Sequence, residues 1–259
     1  NSVAIGFNAQ GTASGATALT NSRASGADSF AAAITNNSTS YGASGTNSIA
    51  IGKLAKSTGT NNVAIGQAEA LGSDYTVAIG YEAKSTMHTT VAIGRKAGYS
   101  GMGDESVAIG YNTYSSGGKA LALGRSCSAT GSHSVAIGAY ANTGGITGKF
   151  AFSNDYIGDS GDAQQGKYIL HCSTTDATAT VLTSTGSSPN SSNQVNLKAW
   201  NSCYGFTGTV IAREQASATN DFAVWEIKGG AVRGSSASTT VLGTYNINKI
   251  SESAGATNW

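Results

Sequence analysis

The string Ser-Val-Ala-Ile-Gly occupies residues 2–6, 106–110 and 134–138, and near copies begin at Ser48, Asn62, Thr76, Thr90 and Ala120, with weaker ones at Ala16 and Ser29. Counted from the first apolar position, the copies stand at 3, 17, 30, 49, 63, 77, 91, 107, 121 and 135, and most steps are 14 residues. A period this regular means one structural unit stacked along an axis, with each unit contacting only its neighbours.

The unit has a two-strand grammar. Val-Ala-Ile reads as a short strand with period-2 alternation. A second stretch, as in residues 53–59, alternates small and larger polar residues before a Gly and a polar turn. Gly and Asn supply the tight turns between them. Helix is excluded by the Gly, Ser, Thr and β-branched content and by the absence of a 3.6-residue period. Composition agrees: Gly is 35 of 259 residues, Pro occurs once and charged residues make 11%, so small side chains must fill a narrow, repetitive interior.

One coil alone cannot offset its ordering entropy, so equivalent strands are expected to pair edge to edge along the rod. Within each first strand, the Val and Ile positions point one way and the small residues the other. The rows Val63, Ile65, Val77, Ile79, Val91, Ile93, Val107, Ile109, Val135 and Ile137 then form an apolar stripe too large to leave in water. Self-association about the rod axis is the simplest closed way to bury it, and three copies is the usual number for such rods. The rival arrangement puts Val and Ile inside a self-sufficient monomeric coil, with the small face outward.

At this point the repeat resembles the head repeat of trimeric autotransporter adhesins of the YadA type, on residues 1–6 with Ala9 and Gly11 and on the same frame in 47–59. The resemblance implies a left-handed parallel β-roll assembled as a homotrimer, and the same repeat occurs in bacteriophage tail fibres. It covers residues 1–147. Departures at 30–48 and 98–105 read as loops leaving the roll.

From residue 148 the period is lost. Strand-like runs at 150–152, 167–172, 178–183, 194–200, 204–213, 222–228 and 239–243 suggest an antiparallel β-sandwich-like domain over 148–259, with Trp200, Trp225 and Trp259 for its core. Residues 206–213, 222–229 and 239–243 are similar to a domain near the ends of phage tail fibres. In that family further strands follow, so the chain is expected to be cut short at its C-terminus. It opens on Asn1 rather than Met, so it is also expected to begin inside a longer polypeptide.

Chemistry is sparse. No nucleophile elbow, phosphate loop, dinucleotide fingerprint or zinc-protease motif occurs, and the expectation is no enzyme, no cofactor and no metal site. His88, His133 and His171 are scattered. Asp155, Asp159 and Asp162 match no standard calcium loop and read as a solvated linker. Asp221, Glu214 and Glu226 are the carboxylates that a sugar-cleaving enzyme would have to bring together. Cys127, Cys172 and Cys203 form no disulfide framework, which leaves small buried thiols as the simplest reading.

A net charge of +1 with no basic stripe argues against nucleic acid, and no apolar run is long enough to span a bilayer. Tyr41, Tyr81, Tyr99, Tyr111, Tyr114 and Tyr140 lie in loops or just after the strand Gly. Of these, Tyr81, Tyr99, Tyr111 and Tyr114 are candidate receptor contacts, since exposed rings among Ser, Thr and Asn suit sugars or a partner protein; packing between coils is the alternative. The expected function is a structural fibre that binds a cell-surface glycan or protein, foremost a phage tail fibre on the virion. The alternatives are a bacterial surface adhesin head and a polysaccharide-cleaving tailspike.

Overall fold

The computed structural model describes all residues except 34–39, 177, 199–201, 215–219, 237–238 and 257–259. The chain divides into two compact units, 1–195 and 196–259. Trp200 and Trp259 lie outside the described residues, as does part of the expected insert at 30–48.

The first unit is a β-solenoid. Its main sheet stacks Val3–Ile5, Thr17–Leu19, Phe30–Ala32, Ile49–Ile51, Val63–Ile65, Val77–Ile79, Val91–Ile93, Val107–Tyr111, Leu121–Arg125, Val135–Ala139 and Phe150–Ser153 in sequence order, all parallel. At about 4.8 Å per strand the stack is roughly 50 Å long. Gln165–Lys167 then closes the sheet antiparallel to Phe150–Ser153. The second sheet is built from two-residue strands: Gln10–Gly11, Arg23–Ala24, Gly42–Ala43, Lys56–Ser57, Glu69–Ala70 and Lys84–Ser85. Bridges such as Tyr114 to Ser128 and Ser128 to Asn142 carry that edge onward.

Register is strict. Val77, Ala78 and Ile79 stand over Val63, Ala64 and Ile65 on one side and over Val91, Ala92 and Ile93 on the other. Coil-to-coil hydrogen bonds fix it, for example from Val77 N–H to Thr90 C=O at 2.9 Å and from Gly80 N–H to Ile65 C=O at 2.9 Å.

The interior is alanine. Ala50, Ala64, Ala78, Ala92, Ala108, Ala122, Ala136 and Ala151 from the main sheet have no exposed surface, and neither do Ala55, Ala68, Ala83 and Ala97 from the facing side. Beside them runs a buried polar column that includes Ser48, Asn62, Thr76, Thr90, Ser106 and Ser134. These groups tie the two sheets together: Ser57 Oγ donates to Asn62 C=O at 3.0 Å, and Asn62 Oδ1 accepts from Thr76 N–H at 2.9 Å. Small apolar residues with hydrogen-bonded groups such as those of Ser57 and Asn62 let two sheets approach closely, while the buried Ser48 and Thr76 hydroxyls have no partner among the described residues.

The arrangement in which Val and Ile fill the coil is therefore not the one adopted. Their rows face outward. The expected loop at 98–105 also stays in the roll, because Met102 turns inward and packs against Ala92, Ala97 and Ala108.

Lys149 breaks the interior pattern. It occupies the buried polar column in the last coil at 7% exposure. Its Nζ donates to Asn142 C=O at 3.2 Å and lies 5.7 Å from the Tyr168 ring centroid. Burial lowers its pKa from 10.5 to about 8. The unfolded chain therefore binds that proton more tightly, so stability is lowest below pH 8 and rises as pH climbs from about 8 toward 10.5. The gain is about 3 kcal/mol in total. Lys149→Met is expected to stabilise the roll at pH 7 by about 2 kcal/mol and to remove most of this rise. Urea unfolding of both proteins at pH 7 and 9.5 checks it; identical pH slopes would contradict it.

The second unit is an antiparallel β domain, as expected, but with one sheet among its described residues rather than the two of a sandwich. Ser202–Arg213 and Phe222–Arg233 form a long antiparallel hairpin, flanked by Thr240–Leu242 and by Asn246–Glu252. This is one four-stranded sheet, and no second sheet faces it among the described residues of the unit. Residues 167–195 form only short pairings, such as the bridge between His171 and Thr183, and belong to the first unit. The first compact unit thus runs on past the repeats to residue 195.

Candidate functional site: the outer columns of the roll

Strand alternation places the first and third residues of every Val-Ala-Ile unit on the outside. Val63, Ile65, Val77, Ile79, Val91, Ile93, Val107, Ile109, Val135 and Ile137 are all half-buried, covered along the column by their neighbours above and below but open on the outer face. Leu121 and Leu123 continue the column in register, and Leu123 is 39% exposed. The result is an unbroken apolar band on one face of the rod.

The residue after the strand Gly forms the next outward column. In the upper coils its occupants alternate: Tyr81, Arg95, Tyr111, Arg125. Backbone bonds hold them at equivalent positions. Lys96 N–H donates to Tyr81 C=O, Asn112 N–H to Arg95 C=O, Ser126 N–H to Tyr111 C=O and Tyr140 N–H to Arg125 C=O, all at 2.8–2.9 Å. The Arg95 guanidinium lies between two rings, 5.8 Å from the Tyr81 centroid and 5.4 Å from that of Tyr111. Arg125 lies 5.4 Å from Tyr140, whose ring meets Tyr156 at 4.3 Å. These distances fall within cation–π range.

Of the four tyrosines expected to contact a receptor, Tyr81 and Tyr111 thus share one column and are exposed. Tyr99 and Tyr114 do not join them. Tyr99 is exposed beside Lys96 and lines a shallow depression with Tyr41, Glu69, Glu82 and Lys84. Tyr114 is half-buried and belongs to the second-sheet edge. Arg95 and Arg125 were not singled out from sequence. Their signal becomes visible only when the coils are written one under another in the 14-residue frame.

No group of three or more metal-binding side chains occurs among the described residues. Asp162 serves its own loop, accepting from the N–H groups of Ile157, Gly158 and Asp159 at 2.9, 2.6 and 2.8 Å. Asp221 accepts from Ser253 Oγ at 2.7 Å, while Glu226 pairs with Lys228 at 3.0 Å. Five residues of extended strand, about 16 Å, separate Asp221 from Glu226, too far for a carboxylate pair acting on one glycosidic bond. All three cysteines are free thiols. Only Cys127 is buried, in the roll interior, where burial raises its pKa; Cys172 is half-buried and Cys203 exposed.

A search of the curated proteins finds no match to the chain. No described helix is long and apolar enough to cross a membrane. The profile of the YadA head domain repeat matches residues 43–68, 72–97, 103–126, 115–141 and 129–145. Those are the coils whose alanines face inward and whose Val and Ile face outward. Over residues 43–145 the chain is thus similar to YadA head domain repeats, in keeping with an adhesin-like or fibre-like structural protein.

Proposed function

We infer that the chain is a segment of a homotrimeric fibre, foremost a bacteriophage tail fibre, that holds a receptor-binding surface away from its anchor and attaches it to a cell. The observation that carries this reading is the outward Val/Ile band, continuous over successive coils and half-open to water in a single chain. Monomeric proteins rarely leave an apolar strip of this extent uncovered. Threefold closure about the rod axis covers it with the same surface from two other copies.

The second unit supports the same reading. Its single sheet leaves Ile211, Val232, Val241, Leu242, Ile247 and Ile250 at least 50% exposed. Equivalent sheets from partner copies would give it the second layer it lacks. A β-sheet following the roll, together with the sequence resemblance of residues 206–213, 222–229 and 239–243 to a distal tail-fibre domain, supports the phage fibre. The YadA head match favours a bacterial adhesin head as the second reading.

Fluorescently labelled protein is expected to bind saturably to a subset of strains in a bacterial panel and to lose that binding on isogenic strains stripped of surface polysaccharide or of the receptor protein. Retention on no strain above an inert protein of equal size would overturn the attachment role.

A further inference from the structure

We propose that the column Tyr81–Arg95–Tyr111–Arg125 is a binding track for an acidic polysaccharide laid along the rod. This proposal deepens the attachment role above and rests on it. The argument starts from what the two guanidiniums lack. Neither Arg95 nor Arg125 has an ion-pair or hydrogen-bond partner for its side chain among the described residues. Two lysines on the roll, by contrast, are paired across coils: Lys84 meets Glu69 at 3.2 Å and Lys96 meets Glu82 at 3.4 Å. In the Arg column the neighbouring positions hold tyrosines instead of carboxylates.

Two rings flank the Arg95 guanidinium and one lies beside that of Arg125, which restricts their faces and leaves the in-plane N–H donors without a protein acceptor among the described residues. That geometry matches a carboxylate or sulfate, which a guanidinium binds through two parallel hydrogen bonds. Pre-ordering by the rings lowers the entropy lost when the anion binds. Exposed Tyr81 and Tyr111 offer apolar ring edges beside each anion site, which suits the C–H faces of sugar rings.

Spacing completes the case. Arg95 and Arg125 are two strand steps apart, about 10 Å along the axis. That is the length scale of one disaccharide, so a polymer with one acidic group per disaccharide can meet both guanidiniums while running parallel to the rod. Three copies of the track about one axis would add avidity to weak single contacts.

The test uses the whole chain, with native mass checked on each sample. Biolayer interferometry against immobilised polygalacturonate, dextran sulfate and neutral dextran is expected to show binding to one or both acidic polymers and none to dextran. The two acidic arms separate carboxylate from sulfate as the recognised group. Arg95→Gln/Arg125→Gln is expected to weaken binding about tenfold or more. Arg95→Lys/Arg125→Lys keeps the charge but loses the fork, and is expected to weaken it about threefold or more. Lys119→Gln/Lys167→Gln, an equal charge change at exposed positions off the column, is expected to stay within about twofold.

Equal losses in the arginine and lysine pairs would overturn the track, as would no binding to either acidic polymer. A drop in native mass in Arg95→Gln/Arg125→Gln would overturn it too, assigning the column to subunit contact. If the unsubstituted chain is itself a monomer, the fibre reading fails separately, and the polysaccharide measurement still decides the track.

Discussion

Ile79→Asp is expected to release monomers from the proposed trimer while leaving each roll folded. Ile79 lies in the middle of the outward band, with Ile65 below it and Ile93 above. Removing its side chain from a subunit seam loses about 2–3 kcal/mol of apolar burial per copy. A carboxylate left in that seam without a partner costs several kcal/mol more, and threefold symmetry repeats the cost three times. The coil itself is spared, because Ala78 faces inward and Ile79 faces out. Native mass should fall to one subunit with the β-sheet circular dichroism retained. A folded trimer with an unchanged melting temperature would remove the Val/Ile rows from the seam.

The second large effect is inside the stack. Gly110 has φ +125°, and a Cβ added there would lie 1.9 Å from Gly124 C=O oxygen in the next coil. Neither the conformation nor the space suits a side chain, and the obstacle is backbone, which cannot swing aside. Gly110→Ala is expected to cost about 3–5 kcal/mol, combining backbone strain with overpacking. Gly101 gives the matched comparison, since it has φ +116° but no atom within 4 Å of the added Cβ. Gly101→Ala should cost only the conformational part, about 1–2 kcal/mol. Denaturant unfolding of the two variants separates the terms, and equal losses would show that coil contact is not what requires glycine at position 110.

Much of the first unit was readable from its sequence because a solenoid repeats one local rule. Once Val77-Ala78-Ile79 is read as a strand, alternation decides which side chains share a face, and the 14-residue step decides which residue stands above which. What alternation leaves open is which face is inside. Alanine settles this physically, since two sheets joined by fourteen residues leave room for Ala64 and Ala78 but not for Ile65 and Ile79.

Features that depend on one position read across several coils were less legible. The Tyr–Arg alternation at 81, 95, 111 and 125 is diluted by thirteen intervening residues per step, and by fifteen between Arg95 and Tyr111. Lys149 looks like a solvated lysine until its place in the Ser/Thr column is known. The second unit misled for another reason. Runs such as 206–213 and 222–228 carry a true strand pattern, but pattern alone does not say whether the second layer comes from the same chain. The strand Asn246–Glu252 was missed because Asn248 and Lys249 stand side by side between Ile247 and Ile250, which breaks the period-2 apolar alternation where the pairing register shifts.

The trimeric fibre stands or falls on subunit number. Light scattering coupled to size exclusion should give a native mass near three times the 25.9 kDa chain, unchanged on dilution into the nanomolar range. A single folded subunit of 25.9 kDa would mean that the outward Val/Ile band stays in water, and the fibre would have to be abandoned.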